Sequence, residues 1–222
     1  MTESSVVTFD LFSALVDSRA GGAAVFGRLA EAYGWPRSGF EIYDAWDALN
    51  KTAQRDCREW VSYVALAGSA LARCYEQLGI VGRPVHDLAT VLASMPEWPL
   101  WPDVPVFLPR LATRYRIGVL SNVDTDVFAR TQAARFFTPE HVFTSERLGA
   151  YKPHPAIYER ARDACSALVH IASSARDVRG ALESGIAVIR LRRPGHHLDP
   201  AGPIPGQEAA SLADLQTLLA AV

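Results

Sequence analysis

Four stretches of the sequence place polar or charged side chains directly after short apolar runs. Asp10 follows the run VVTF, and Ser121 and Asn122 close the run RIGVLSN. Lys152 lies in the segment that follows HVFTSE, and Asp177 lies just after VHIAS. A carboxylate is a weak nucleophile unless a cation stands beside it in a pocket that excludes water. A lysine and a second carboxylate are available here, so Asp10 is a candidate nucleophile if the fold brings these stretches together.

The apolar runs predict the strands that would bring them together. They are rich in β-branched residues and apolar enough to be buried on both faces, as is typical of parallel strands covered by helices. The predicted strands are VVTFDLF (6–12), RIGVLSN (116–122), HVFTSE (141–146), VHIAS (169–173) and AVIRLR (187–192). Helical spacing is found at 106–115, 124–136, 154–168, 175–185 (ending at Gly185) and 211–222 (opening on Ser211).

This alternation predicts an α/β fold, a doubly wound parallel sheet with right-handed crossovers. Ligands of such sheets bind beyond the carboxyl ends of the strands, where the candidate residues lie. Roughly ninety residues without a strand separate the first two runs, far more than a crossover needs. Helical stretches fill this gap, for example at 43–80, and the Pro/Trp-rich segment 95–105 is typical of a linker. We therefore predict an inserted helical cap at 18–98, and a core domain at 1–17 and 99–222.

Composition restricts the partners of the protein. The formal net charge of −2 and the pI of about 6.3 give no basic footprint for nucleic acid or for an anionic membrane. No apolar run approaches the length of a membrane span, and the polar start MTESS does not resemble a signal peptide. The three cysteines are widely spaced, which is typical of a reducing compartment. We expect a cytoplasmic protein that acts on a small molecule; a monomer and a homodimer both stay open.

Four motifs in order resemble those of the haloacid dehalogenase superfamily, with the helical cap after the first strand. They are FDLFSALVD, VLSN, LGAYKPHPAIY and IASSARDVRGALESGI, and the resemblance covers essentially the whole chain. It implies that Asp10 forms a covalent ester, that Lys152 supplies positive charge, and that Asp177 with Lys152 positions the hydrolytic water. It also implies that groups around Ser121 and Asn122, at a helix N-terminus, hold an anionic part of the substrate.

Each of these residues also has a purely structural interpretation. Asp10 and Asp177 are of a type that caps loops and helices, and Ser121 is of a type that caps a helix. Asn122 suits a local turn, Lys152 a solvated surface and Tyr158 the core. The argument for function is therefore the four motifs together.

Phe12 separates two branches of the family. The phosphatase branch has DxDxT in the first motif and GD in the fourth; Phe12 and Ser173 replace the two additional aspartates here, and Ala172 replaces the glycine. The pattern is closer to the 2-haloacid dehalogenase branch, which has an aromatic residue and serines there, needs no metal and displaces halide from carbon. This resemblance implies no metal or cofactor, and substrate-binding roles for Phe12, Ser121, Asn122, Tyr158 and Ser174.

Some positions depart from that branch. Ala14 replaces a threonine, and Ala172 and Ser174 replace a serine and an asparagine. Asp47 falls where the branch has its halide-binding arginine, and a carboxylate there would repel halide and haloacid alike. Arg55 or Arg58 is a candidate to compensate, and Trp46 and Trp60 are candidates to line the pocket.

Three hypotheses follow for the function. The leading one is a metal-independent, dehalogenase-like hydrolase that uses Asp10. The second, from a different class, is a catalytically degenerate protein that binds a small anion or a protein partner. The third is a Mg²⁺-assisted phosphatase with an eroded site, since one or two carboxylates with water and phosphate suffice to hold that ion.

Overall fold

The computed structural model of the protein describes residues 5–165 and 167–220. Within them, six strands form one parallel sheet in the order β3-β2-β1-β4-β5-β6. The strands are β1 (Ser5–Phe9), β2 (Arg116–Ser121), β3 (Val142–Thr144), β4 (Ala167–Ala172), β5 (Ala187–Leu191) and β6 (Gln207–Ala209). The predicted fold class is confirmed.

The first strand lies in the middle of the sheet. Val7 and Phe9 point into one apolar cluster and Val6 into a second, because successive side chains of a strand face opposite sides. Phe9 pairs with Val119 of β2 on one side and with Ile171 of β4 on the other. This central position places the end of β1 beside the ends of β2 and β4.

Four α-helices lie between β1 and the segment 95–105 that leads back to the sheet. They are α1 (Ser18–Tyr33), α2 (Gly39–Asp56), α3 (Tyr63–Leu78) and α4 (Pro84–Ala93), and we call them the cap helices. Two glycines let α1 and α2 approach closely. A Cβ on Gly39 would lie 2.0 Å from the Ala23 carbonyl oxygen, and one on Gly22 would lie 2.1 Å from the Tyr43 ring. Ser38 and Glu41 form a capping box that starts α2.

The two connections between the cap helices and the sheet run side by side. Val16 and Leu100 form an isolated antiparallel bridge. Asp17 N–H donates to the Pro99 carbonyl at 2.9 Å, and Trp101 N–H donates to the Leu15 carbonyl at 3.0 Å. The predicted linker 95–105 therefore pairs with the segment that leaves the first strand.

The remaining helices alternate with the strands of the sheet. They are α5 (Val104–Ala112), α6 (Thr125–Ala129), α7 (Ser145–Leu148), α8 (Pro155–Cys165), α9 (Ala175–Glu183) and α10 (Leu212–Leu219). Among the described residues, none of the helices combines the length and the apolar character that crossing a membrane requires.

Several predicted boundaries were wrong. The first strand stops at Phe9, and residues Leu11–Leu15 form a short π-helical turn, because the Asp10 side chain accepts a hydrogen bond from Ser13 N–H and turns the chain. The helix predicted at 124–136 is only the five-residue α6 followed by a 3₁₀ turn at Ala134–Phe136. The edge strand β6 was missed, since three residues give no periodic pattern. The ends of the helices predicted at 154–168 and 211–222 include residues 166 and 221–222, which lie outside the described residues.

Candidate active site

The ammonium group of Lys152 lies between the two candidate carboxylates. Its Nζ donates to Asp10 Oδ1 at 2.7 Å and to Asp177 Oδ2 at 2.6 Å. It also donates to the Leu120 carbonyl oxygen, at the end of β2, at 2.8 Å. A lysine ammonium has three N–H donors, so these contacts use all of them and fix its position. The structure thus brings together three residues that lie 142 and 25 positions apart in the chain.

This cluster is removed from solvent, and its charges support one another. The Lys152 side chain is 3% exposed and the Asp177 side chain 2%. Burial alone would raise the pKa of both carboxyl groups, but the Lys152 charge and hydrogen bonds, together with the contacts of Ser13 with Asp10 and of His170 with Asp177, outweigh it, so both pKa values are lowered. Burial alone would likewise lower the pKa of Lys152, but the two carboxylates raise it. The arrangement therefore keeps all three groups ionised.

The two oxygens of Asp10 have different surroundings. Oδ2 accepts from Ser13 N–H at 3.0 Å and also from the Ser13 hydroxyl, so both of its lone-pair directions are occupied. Oδ1 accepts from Lys152, which leaves one direction open. Ser13 thus supplies a hydroxyl to the first motif, where the neighbouring Ala14 has none. These contacts favour Oδ1 as the atom that reacts.

Three donors hold Asp177 in place. Besides Lys152, Tyr158 Oη donates to Oδ1 at 2.8 Å and His170 Nε2 lies 3.1 Å from Oδ2. An ionised carboxylate only accepts, so Nε2 is the donor of the His170 ring. On the other side of that ring, Nδ1 lies 2.9 Å from the Thr8 hydroxyl of β1. Tyr158 and His170 are both completely buried, so they fix Asp177 from behind.

Asn122 connects this cluster to the cap helices. Its Oδ1 accepts from Lys152 N–H at 2.7 Å, and its Nδ2 donates to the Lys152 carbonyl at 2.9 Å, so it fixes the lysine backbone on both sides. Nδ2 also donates to Gln54 Oε1 of α2 at 2.9 Å. The same Gln54 oxygen accepts from Arg176 Nη2 of α9 at 2.9 Å. One cap side chain therefore receives hydrogen bonds from two elements of the sheet domain.

A second contact between cap and sheet begins at Asp124. Its carboxylate accepts from the backbone N–H groups of Tyr63 and Val64 at 2.8 and 3.0 Å, at the start of α3. The sequence interpretation had placed Ser121 or Asn122 at a helix N-terminus, and this was wrong, because α6 begins only at Thr125. Ser121 is the last residue of β2, and the helix whose N-terminal N–H groups donate to Asp124 is the cap helix α3.

A cavity of about 590 Å³ opens between the cap helices and the sheet domain. Phe12, Ser121, Asn122 and Ser174 line it together with Asp10, Lys152 and Asp177. The ring of Phe12 lies 6.3 Å from that of Tyr63 and 6.2 Å from that of Trp98, so it forms part of an aromatic wall. Ser121 is 1% exposed, and its hydroxyl has no hydrogen-bond partner among the described residues. It is therefore available to a bound molecule.

Some predicted residues lie outside this cavity. Tyr158, expected to bind substrate, does not line it and reaches the site only through Asp177. Arg55 pairs with Asp56 on the surface, and Arg58 lies beyond the end of α2, so neither compensates for Asp47. Trp60 lies in a separate small depression, whereas Trp46 does line the cavity.

Four residues of the site were not predicted. His170 is an isolated histidine inside an apolar strand, and its position among buried apolar residues was the only signal. Ser13 was hidden because the first strand was extended too far. Gln54 and Arg176 meet across 122 positions of sequence, and no local pattern indicates such a contact.

The donor set does not fit a magnesium ion. A Mg²⁺ ion held by Asp10 and Asp177 would compete with the Lys152 ammonium, which lies between these carboxylates at hydrogen-bond distance from both. No cluster of three or more His, Cys, Asp or Glu side chains within residues 5–165 and 167–220 is arranged to hold a metal ion. His196, His197 and Asp199 lie close together in the sequence but form no such cluster either. Asp199 pairs instead with Arg179.

Comparison with known proteins places these residues in a family context. A family model described as haloacid dehalogenase-like hydrolase matches residues 5–185. An (S)-2-haloacid dehalogenase from Pseudomonas sp. (strain YL) is 26% identical over 219 residues, covering 93% of this chain and 90% of that protein.

Solved structures share the fold at lower identity. L-2-haloacid dehalogenase from Xanthobacter autotrophicus has a TM-score of 0.84 at 19% identity, with 99% of each chain covered. A Bacillus subtilis protein, YfnB, described as a HAD-hydrolase and bound to magnesium, has a TM-score of 0.76 at 15% identity, with 98% of this chain and 99% of that chain covered. These similarities extend over nearly the full length of each chain.

Proposed function

This chain belongs to the haloacid dehalogenase-like hydrolase family, and from that premise we propose that it hydrolyses a small organic molecule through an ester of Asp10, without a metal ion. The family resemblance of the four motifs is thereby confirmed, and the curated relative falls in the 2-haloacid dehalogenase branch that the motifs predicted. The covalent step, the metal independence and the residue roles are the proposal.

One observation carries it: the 2.7 Å contact between Lys152 Nζ and Asp10 Oδ1, in a buried cluster that opens on a cavity. A buried carboxylate is reactive only if it stays ionised, and Lys152 keeps it so. Asp10 Oδ1 retains one free lone-pair direction, whereas Oδ2 does not. The position of Lys152 also favours this chemistry over magnesium-assisted phosphoryl transfer, since its ammonium replaces the cation between the carboxylates.

In the first step, Asp10 Oδ1 attacks the substrate carbon that bears the leaving group. The bond from that carbon to the leaving group breaks, and the leaving group departs with the electron pair, as a halide does from a haloacid. The product is an ester between Asp10 and the substrate. Phe12 provides an apolar surface for the carbon centre, and the Ser121 hydroxyl is free to donate to a polar group on it.

In the second step, water attacks the carbonyl carbon of this ester. The former Oδ2 then carries the developing negative charge, and the Ser13 N–H and hydroxyl are already in place to stabilise it. The bond from the carbonyl carbon to the ester oxygen breaks. The alcohol leaves with one proton of the water, the second proton passes to solvent, and the Asp10 carboxylate is restored. Asp177 and Lys152 border the same region and are proposed to position the water.

The substrate differs from a short haloacid. Asp47 lines the cavity where the family resemblance places a halide-binding arginine. The nearby Lys51 pairs with Asp47, so this pair offers no free positive charge to a halide or to a haloacid carboxylate. We therefore expect weak or no turnover of 2-chloropropionate and faster turnover of larger molecules that carry a leaving group next to a carboxylate. An intact Asp10–Lys152–Asp177 cluster favours an enzyme over a degenerate binding protein, which has no need to keep a buried carboxylate charged.

The proposal is tested on a panel of short 2-haloacids, 2-halo-arylalkanoates and activated esters, assayed with and without EDTA. Turnover of at least one member should be unaffected by EDTA. It should fall by several orders of magnitude in Asp10→Asn, as expected when a covalent nucleophile is removed. Asp126→Asn is the matched control, because Asp126 lies on the exposed surface of α6, where it pairs with Arg130.

Two results would count against the proposal. Hydrolysis of p-nitrophenyl phosphate that EDTA abolishes and Mg²⁺ restores would favour the phosphatase hypothesis. A complete absence of turnover across the panel, with the protein folded, would favour the degenerate binding protein.

A further inference from the structure

The cavity contains one cationic side chain without an acidic partner. Arg19 pairs with Asp44 at 2.7 Å, Lys51 pairs with Asp47, and Lys152 pairs with both Asp10 and Asp177. Arg176 also lines the cavity, and no carboxylate of the described residues lies within ion-pair distance of it. An arginine is always charged at neutral pH, so this guanidinium enters the cavity as an unpaired positive charge.

Arg176 is nevertheless held firmly. Its Nη1 donates to the Lys51 carbonyl at 3.2 Å and its Nη2 to Gln54 Oε1 at 2.9 Å, both on α2. Neither acceptor is charged, and together they use two of the five N–H donors of a guanidinium. The remaining donors are available to a ligand. Because Gln54 Oε1 also accepts from Asn122, Arg176 is fixed close to the Lys152 backbone.

Much of the remaining cavity wall is aromatic. Seven Phe, Tyr and Trp side chains line it, those of Phe12, Phe40, Tyr43, Trp46, Tyr63, Trp98 and Trp101. A cavity of about 590 Å³ lies within the range that holds drug-sized ligands, and a three-carbon acid would fill only a small part of it. Aromatic walls of this kind bind flat or bulky apolar groups.

We propose that Arg176 is the substrate-binding cation of this cavity, and that the substrate is a monocarboxylate with an aromatic group. The carboxylate binds the free guanidinium donors, and the aromatic group packs on the ring-lined wall. This rests on the proposed function, whose substrate it specifies. It also explains how the site accepts an acid although Asp47 replaces the family's arginine in the early cap.

The charges of the cavity favour a single negative charge on the ligand. Five carboxylates line it: Asp10, Asp17, Asp44, Asp47 and Asp177. The four cations Arg19, Lys51, Lys152 and Arg176 oppose them. Burial lowers the pKa of His196, which also lines the cavity, so this ring adds no charge at neutral pH. Because one negative charge is already in excess, a dianion such as a phosphate monoester is opposed more strongly than a monoanion, whose single charge the unpaired guanidinium offsets.

The test measures binding of two unreactive probes, 3-phenylpropionate and 3-phenylpropionamide, by calorimetry. They share the ring and the chain length and differ only in charge. The wild-type protein should bind the acid about tenfold more tightly than the amide or better, which is the usual effect of a hydrogen bond to a charged group. Arg176→Gln should remove this preference, and Arg176→Lys should keep part of it.

Arg179→Gln is the matched control. Arg179 lies on the same helix, one turn further on, and its guanidinium pairs with Glu183 and Asp199 outside the cavity. It should leave the preference for the acid unchanged. If Arg176 only fastens α9 to α2, its loss will weaken both probes equally and the preference will survive.

Three results would overturn the proposal. They are equal affinity of the wild-type protein for acid and amide, no binding of the acid at millimolar concentration, and a preference that survives in Arg176→Gln. Because neither probe carries a leaving group, this binding result stands apart from turnover. A protein that hydrolyses the panel yet fails here refutes only the assignment of Arg176.

Discussion

Replacing Lys152 with methionine tests the charge arrangement of the site most severely. The substitution keeps the length of the side chain and removes the ammonium that lies 2.7 Å from Asp10 and 2.6 Å from Asp177. It leaves two buried carboxylates without a counter-ion. Removing one partner of a buried ion pair costs about 3–5 kcal/mol of unfolding free energy. That is a large part of the roughly 5–15 kcal/mol that stabilises a typical domain.

The pH dependence of this loss is more diagnostic than its size. In the wild-type protein, the pKa values of Asp10 and Asp177 are lower than in the unfolded chain. Their stabilising contribution is therefore complete above about pH 4 and is lost as the pH falls through the folded-state values. In Lys152→Met, burial and mutual repulsion both raise these pKa values above the unfolded ones. The folded variant then binds protons on acidification, so its unfolding free energy should rise between pH 8 and pH 5.

Urea denaturation at pH 5, 6, 7 and 8 measures both effects. Lys51→Met is the matched control, because Lys51, whose side chain is 41% exposed, pairs with Asp47 at the cavity, and exposed pairs contribute only about 0–1 kcal/mol. The difference between the two variants should be about 3 kcal/mol or more at pH 7 and should shrink toward pH 5. A Lys152→Met protein that is as stable as Lys51→Met at pH 7, or a difference that does not vary with pH, would refute this description of the site.

Two further predictions concern activity on the best substrate of the panel. The pKa of Asp10 is lowered and that of Lys152 is raised, so neither group titrates between about pH 5 and pH 9. The value of kcat/KM should therefore be flat across this range. A bell-shaped profile with a limb near pH 7 would contradict the roles given to the two residues. Asp177→Asn should slow hydrolysis of the ester more than its formation, so intact-protein mass spectrometry should show the ester accumulating. His170→Phe removes one donor to Asp177 and should cause a smaller accumulation of the ester. An equal slowing of both steps would argue for a merely structural role of these residues.

The residues that the sequence could reveal are those at the ends of strands. Asp10, Ser121 and Asn122 follow runs of buried β-branched residues, and parallel strands end at one edge of a sheet. Lys152 lies in the segment after β3 and α7, and Asp177 lies in the first turn of the helix that follows β4. The alternation of strands and helices was enough to predict the parallel sheet, and the long gap after the first strand was the basis for expecting a helical insertion there.

Contacts between elements escaped prediction for a physical reason. Tyr158 has the helical spacing of a residue on the inner face of α8, but only the packed structure shows that its hydroxyl meets Asp177 and not the cavity. The hydrogen bonds of His170 depend on the registry of β1 beside β4, which brings Thr8 opposite it. The pairing of Gln54 with Asn122 and Arg176 depends on how the cap sits on the sheet domain. No local pattern contains that information.

The central claim is that Asp10 becomes an ester and that water attacks its carbonyl carbon. A single turnover in ¹⁸O-water should place the label in the Asp10 carboxylate and leave the first alcohol product unlabelled, because the product oxygen then comes from Asp10. Mass spectrometry of the peptide that contains FDLFS should show a gain of one ¹⁸O atom after a single turnover. Label found in the first product, with none in this peptide, would show direct attack of water on the substrate and would contradict the account.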